Sequence, residues 1–564
     1  MKGTCIMEKF SQMTYERPDV DAFAGDVNAF LEAFRTAEDY PSARALFMEL
    51  NEKRDHIETM CSIAEIRNTV NTADEYYEKE VEYIAQIAPK INLEMRKVYE
   101  QLLASPFVGD FTNEFGENYI RSLKNQIRFA NEANVDNQVK ESLLVQKYAK
   151  VSAVCTTRFH GEDVNFYGLL KYMESTDRNV RREAFQAWAD LYESISGELD
   201  DIYSQLVQVR CEMARVLGFK DYIELIYQQR ERFDYDREDV KNFRRQIKEV
   251  IVPICQKLFR EQKERLGIDQ LHYYDEALVF PEGNAVPEGT SRELIEKASK
   301  MYHELSGETG EFFDFMTRYE LFDLETKPGK RQGGYCTSLP EYKAPFIFSN
   351  FNGTSADVDV LTHEAGHAFE SFVSSRRIPL SSMVWPTMEV CEIHSMSMEF
   401  FTYPWMELFF GENTEKYKYA HFVSALTCIP YMACVDEFQH RVFEENALDA
   451  QQRRRIWKEL EAYYMPWRDY DGNSFLENGG FWMQKQHIFM SPFYYIDYAL
   501  AQMGALEFYG RMKTDRKTAW EDYFRLCCAG GSKGYFDLLK LAHLSNPFED
   551  GTVKGIMDSL KDEL

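Results

Sequence analysis

At 564 residues the chain is long enough for two to four ordinary domains, or for one large helical body with lobes. A net charge of −28 argues against nucleic acid and against an anionic membrane surface, because both need locally dominant Lys and Arg. Hydrophobic residues at 45% and charged residues at 28% argue against disorder, and 29 Gly and 17 Pro are few enough for long unbroken helices.

The first twenty residues hold no apolar stretch of the kind that directs secretion, and no run of eighteen apolar residues occurs anywhere. The chain ends Lys561-Asp562-Glu563-Leu564, an address for retention in the endoplasmic reticulum. Without a secretory signal it is read as the chance end of a charged helix, and the expected location is the cytoplasm. Eleven cysteines, scattered from Cys5 to Cys528 without a CxxC pair, fit free thiols in a reducing compartment.

From about residue 20 to 130 apolar residues recur at helical spacing, as in Ala43, Leu46, Phe47 and Leu50. The pattern continues from Ser142 to Gly218, where Ser175-Thr176-Asp177 should cap a helix starting near Arg178. Gly218 stands where a left-handed C-cap would end it. A further charged helix should run from Val240 to Leu266, kinked by Pro253. Between His272 and Gly353, Pro, Gly and Tyr become frequent. Pro345–Phe351 alternates like a strand beside a turn at Gly333-Gly334-Tyr335, which predicts a small, partly exposed sheet. Helical patterning resumes at Thr354, broken by the loop 469–473.

The resumed helix carries His363-Glu364-Ala365-Gly366-His367. Histidines four apart on a helix project to one side, one turn apart, where they can share a metal ion. The glutamate between them can reach a water on that ion. Thr354 or Ser355 should cap the helix, with Asp357 and Asp359 in its first turn. Val358, Leu361, Ala365, Ala368, Phe369 and Phe372 form an apolar stripe opposite the histidines. An HExxH string arises by chance in roughly one such chain in fifty, so a third ligand is needed to strengthen the reading. Glu370 lies too far along the same helix. Glu389, Glu392 and Glu399 lie on a second predicted helix. Glu392 and Glu399 share a face but stand about 10 Å apart along its axis, so one ion cannot take both. One would bind the metal and the other would orient a histidine. His394, on another side, is read as structural.

Residues 363–368 and the block Val390–Phe400 resemble the thimet-oligopeptidase-like metallopeptidases, in their oligoendopeptidase F and Pz-peptidase branch. Segments 175–184 and 215–219 are also similar to that family, as is His487 followed by Pro492–Tyr498. The resemblance implies a mainly α fold: a large helical ellipsoid with a deep substrate channel and one small β-sheet beside the metal-binding helix. It divides the chain into a helical region, 1–190, covering the channel, and a catalytic region, 191–564. It implies one zinc ion per chain, held by His363, His367 and Glu392, with Glu364 as general base and Glu399 as the orienting carboxylate. His487 and Tyr498, with Tyr495 as second choice, would donate to the substrate carbonyl. The strand 345–351 would hold the peptide as an added strand, with Gly333, Gly334 and Tyr335 in the same wall. The implied activity is zinc-dependent hydrolysis of internal bonds in short peptides, the alternative being a zinc carboxypeptidase or dipeptidyl carboxypeptidase. Oligomeric state stays open.

Overall fold

The computed structural model describes residues 7–153, 155–327, 329–331, 333–445 and 448–564; Cys5 lies outside them. The chain forms two compact units, each assembled from three segments. The first unit takes Met1–Asn131, Val286–Thr414 and Gly504–Ser545; the second takes Glu132–Ala285, Glu415–Met503 and Asn546–Leu564. Helices dominate both, and no helix of the described residues is long and apolar enough to cross a membrane.

In the first unit the predicted helical stretch from residue 20 to 130 is present. Helices Val20–Arg35, Tyr40–Val70 and Glu75–Leu103 start at Asp19, Asp39 and Asp74, whose carboxylates accept the orphan N–H groups of the first turn. Their inner faces bury Phe23, Phe30, Phe47 and Val98, and Phe111 of the following helix, Val108–Phe115, joins them. Ile378, Leu380 and Met383, from a distant segment, pack into the same core. Asp55 lies at this junction and accepts a hydrogen bond from the Ser381 hydroxyl. Burial pushes its carboxyl up from 3.8 to about 6, against the pull of Ser381. A folded-state pKa above the unfolded one means stability is fullest below pH 3.8 and is lost as pH rises through 6. Asp55→Asn should therefore stabilise the protein by about 1–2 kcal/mol at pH 7.5 and by about a third of that at pH 4.5, read from urea midpoints.

The sheet of this unit has β3 (Phe322–Glu325), β4 (Tyr335–Leu339) and β5 (Ala344–Phe351) in the order β3-β5-β4; β5 runs parallel to β3 and antiparallel to β4. The 345–351 segment is therefore a strand, as its pattern predicted, but a central one, buried along almost its whole length. It cannot take an added peptide, because both of its edges are already paired. The strand with a single partner next to the metal-binding helix is β4.

In the second unit, helix Arg178–Val216 starts at Asp177, whose side chain accepts from Asn179 N–H, and ends at Gly218 with φ +72°. The left-handed glycine lets Phe219 N–H reach back to Ala214 O (2.9 Å). The predicted kink near Pro253 takes the form of a π-helical turn, Ile247–Ile251, before helix Val252–Leu266. A wider turn accommodates a ring that has no N–H to give. A small hairpin, β1 (Thr157–Phe159) and β2 (Glu162–Val164), was not foreseen in the sequence; His160 and Gly161 both take positive φ in its two-residue turn.

Candidate metal centre

The helix Ala356–Ser374 carries His363, Glu364 and His367, and Met388–Phe401 carries Glu392 and Glu399, all within the first unit. The start of the first helix differs from the sequence expectation. Ser355 makes no side-chain cap. Instead Asp357 folds back to accept Asn352 N–H and Gly353 N–H, both at 2.8 Å.

The two helices touch at Gly366. A Cβ there would lie 2.6 Å from Ser395 Cα and 2.7 Å from His394 O. This bare contact lets the second helix bring Glu392 under both histidines. Glu392 Oε2 stands 3.3 Å from His363 Nε2 and 3.4 Å from His367 Nε2. Among the described residues these three are the only His/Cys/Asp/Glu group whose ligand atoms all fall within 4.8 Å. The spacing has a chemical meaning. Zinc bonds of about 2.0–2.1 Å in a tetrahedron put neighbouring donors about 3.3–3.4 Å apart. The donor set therefore fits a zinc ion without rearrangement at Glu392.

Glu399 occupies the orienting place. Its Oε1 lies 2.6 Å from His363 Nδ1, so the imidazole gives that proton to the carboxylate and leaves the Nε2 lone pair facing the other donors. The Ser395 hydroxyl lies 2.9 Å from Glu392 Oε2, a support the sequence reading did not include. Replacing Glu399 by Ala should weaken zinc binding about 10–100-fold, measured by competition with a chromophoric chelator.

Burial opposes ionisation of Glu392, but the two imidazoles outweigh it and hold the carboxyl well below its usual range. Burial raises the Glu364 carboxyl, with His363 and His367 pulling the other way. Glu364 also faces the residue just before strand β4: a Cβ on Gly334 would lie 3.5 Å from its Oε1. His394 is buried, and burial drops its pKa to about 3, so it is a neutral packing residue beside Tyr523. Glu370 is fully buried, and burial holds its carboxyl well above the ordinary range; it takes no part in the donor set.

His487, Tyr495 and Tyr498 lie together in the second unit. The His487 ring is 4.9 Å from that of Tyr495 and 6.1 Å from that of Tyr498; the two tyrosine rings are 5.6 Å apart. Features outside the sequence reading hold this block. Phe493 has φ +60°, a strained value for a residue with a Cβ. The Phe493 N–H donates to Gln439 Oε1 (2.9 Å). Three arginines take the surrounding carbonyls: Arg210 binds Ile488 O and Phe489 O, Arg230 binds Pro492 O, and Arg232 binds Phe493 O and Asp497. Lys485 donates to Tyr495 Oη at 2.9 Å.

The chain resembles the solved structure of Pz peptidase A with an inhibitor at 43% identity and TM-score 0.94, over 98% of each chain. Oligoendopeptidase-F from Enterococcus faecium, at 14% identity and TM-score 0.62 over 96% of this chain and 97% of that one, shares the fold. In sequence, an oligoendopeptidase F homologue of Borreliella burgdorferi is 23% identical over 380 residues, 66% of this chain and 62% of the relative. The oligopeptidase PepF of Bacillus subtilis is 23% identical over 392 residues, 68% and 56%. The chain thus matches about three-fifths of the length of these two curated relatives. The family model of the peptidase M3 N-terminal domain matches residues 10–130, and that of peptidase family M3 itself matches 171–558. This chain belongs to peptidase family M3, in the branch of the oligoendopeptidase F and Pz peptidases.

Proposed function

We propose that the protein is a zinc-dependent oligopeptidase that hydrolyses internal bonds of short, unstructured peptides. The observation that carries this reading is Glu392 Oε2 at tetrahedral-edge distance from Nε2 of both His363 and His367, with a buried carboxylate, Glu364, on the turn between the two histidines. His363, His367 and Glu392 would hold the ion. When bound, zinc supplies Lewis acidity, which makes a water a nucleophile near neutral pH and polarises a carbonyl.

The chain's own residues do the rest. Glu364 takes the proton of the attacking water and delivers it to the departing amine nitrogen. Its burial keeps the carboxylate basic enough for that task. Strand β4 offers the substrate a backbone edge, and the bare backbone at Gly334 lets a peptide lie close to Glu364. His487 and Tyr498, with Tyr495, supply donors to the carbonyl oxygen as it gains negative charge. The ten described cysteines are free thiols, in keeping with a reducing compartment, and we place the protein in the cytoplasm.

The test is a peptide of about ten residues, internally quenched and blocked at both ends, incubated with protein of known metal content. Internal cleavage that a chelator removes and zinc restores is the expected result. Trimming of an unblocked peptide with no cut in the blocked one would instead make the protein a carboxypeptidase.

A further inference from the structure

Lys485 sits in the extended link between the 3-10 turn Phe481–Gln484 and helix Gln486–Met490, two residues before His487. Its side chain turns into the aromatic cluster. The ammonium is 4.5 Å from the centroid of the Tyr495 ring and 5.3 Å from that of Tyr431, and its Nζ is 2.9 Å from Tyr495 Oη. Tyr431 is fixed in turn by the Gln484 amide and packs edge-on against Tyr495 at 5.7 Å. In a chain with 93 acids to 65 basic residues, this half-buried cation is paired with a phenol and not with a carboxylate.

The chemistry of that contact is one-sided. An ammonium has only donors, so the Tyr495 oxygen must be the acceptor. The phenol's own proton is then directed away from Lys485, free to be donated elsewhere. A positive charge at the oxygen also makes the phenol a stronger donor, because charge-assisted hydrogen bonds polarise their partners.

We infer that Lys485 is a positioning residue: it orients and polarises the Tyr495 hydroxyl so that its proton points to the substrate carbonyl. The inference rests on the reading that Tyr495 is one of the donors in peptide hydrolysis, and it adds to that reading the group that sets the donor's direction.

The test is a double-mutant cycle on zinc-loaded enzyme with the doubly blocked quenched peptide, comparing Lys485→Met, Lys485→Arg, Tyr495→Phe and the Met/Phe double variant. Lys485→Met should lower kcat about tenfold with KM changed less than about twofold, the scale of one charge-assisted hydrogen bond. Lys485→Arg, which keeps a cationic donor, should recover to within about threefold of wild type, showing that the loss is not misfolding. The double variant should be no slower than Tyr495→Phe alone, because Lys485 acts through that hydroxyl. Losses that multiply in full in the double variant would overturn the inference. So would a change in KM alone, or full speed in Lys485→Met when Tyr495→Phe is slow. If Tyr495→Phe runs at full speed, the inference falls with its donor. The hydrolytic reading is then judged separately by the chelator experiment and by Glu364.

Discussion

Glu364→Gln should lower turnover of the blocked peptide by about 10³–10⁴-fold while one zinc per chain is retained. The glutamine keeps the shape and the hydrogen-bonding reach of the carboxylate but cannot carry a proton. Glu364 is only 8% exposed, and burial already disfavours its charge. Removing that charge should leave the melting temperature unchanged or slightly higher, so activity and stability should part company in this variant. None of the three donors changes, so metal content measured by atomic absorption should match wild type. Turnover within about tenfold of wild type would remove Glu364 from the chemistry.

The second large effect belongs to Gly366→Ala, and its sign is the informative part. In an ordinary helix interior, alanine in place of glycine stabilises by about 0.5–1 kcal/mol. At Gly366 the new methyl would meet Ser395 Cα at 2.6 Å and His394 O at 2.7 Å, both backbone of the neighbouring helix. Backbone cannot step aside as a flexible side chain can, so the helices must separate. Overpacking of this kind costs about 1–3 kcal/mol and exceeds the helix gain. The same separation moves Glu392 away from His363 and His367, whose distances of 3.3 and 3.4 Å suit one ion. The variant should melt lower and bind zinc at least about tenfold more weakly, with activity partly regained at high zinc. Gly197, inside helix Arg178–Val216 with nothing within 4 Å of its would-be Cβ, is the control. Gly197→Ala should stabilise the protein and leave zinc binding alone.

The difference between these glycines shows what a sequence can and cannot disclose. HExxH was legible because one helix fixes the relation of its three residues; no other part of the chain is needed to put His363 and His367 on one side. The third ligand was not legible in that way. Whether Glu392 or Glu399 meets the ion depends on where the second helix crosses the first, and only the Gly366 contact decides it. Family resemblance supplied the choice before geometry did. Strand 344–351 failed differently. A strand's alternation reports its own pleat, not how many neighbours it has, so an edge and a centre look alike until β3 and β4 are placed. The hairpin at 157–164 left a signal that was passed over: Gly161 between two runs that include Thr157, Phe159 and Val164. The three arginines around residues 488–493 left none, because a guanidinium that serves backbone carbonyls pairs with no residue type a reader could search for.

The division of each unit among three stretches of chain also governs its birth on the ribosome. Helices within the first 131 residues are made early, but the segments that complete their unit end at Thr414 and Ser545. At about 5–20 residues per second, the wait between Asn131 and Ser545 lasts roughly 20–80 s. Throughout the first part of it, the surface that Ile378, Leu380 and Met383 will cover stays apolar and bare. A nascent chain of this design carries that uncovered surface while it waits, and a fragment ending at residue 131 would lack the same cover permanently. The N-terminal helices are a module to a family model, yet to a folding chain they are an unfinished half of a core.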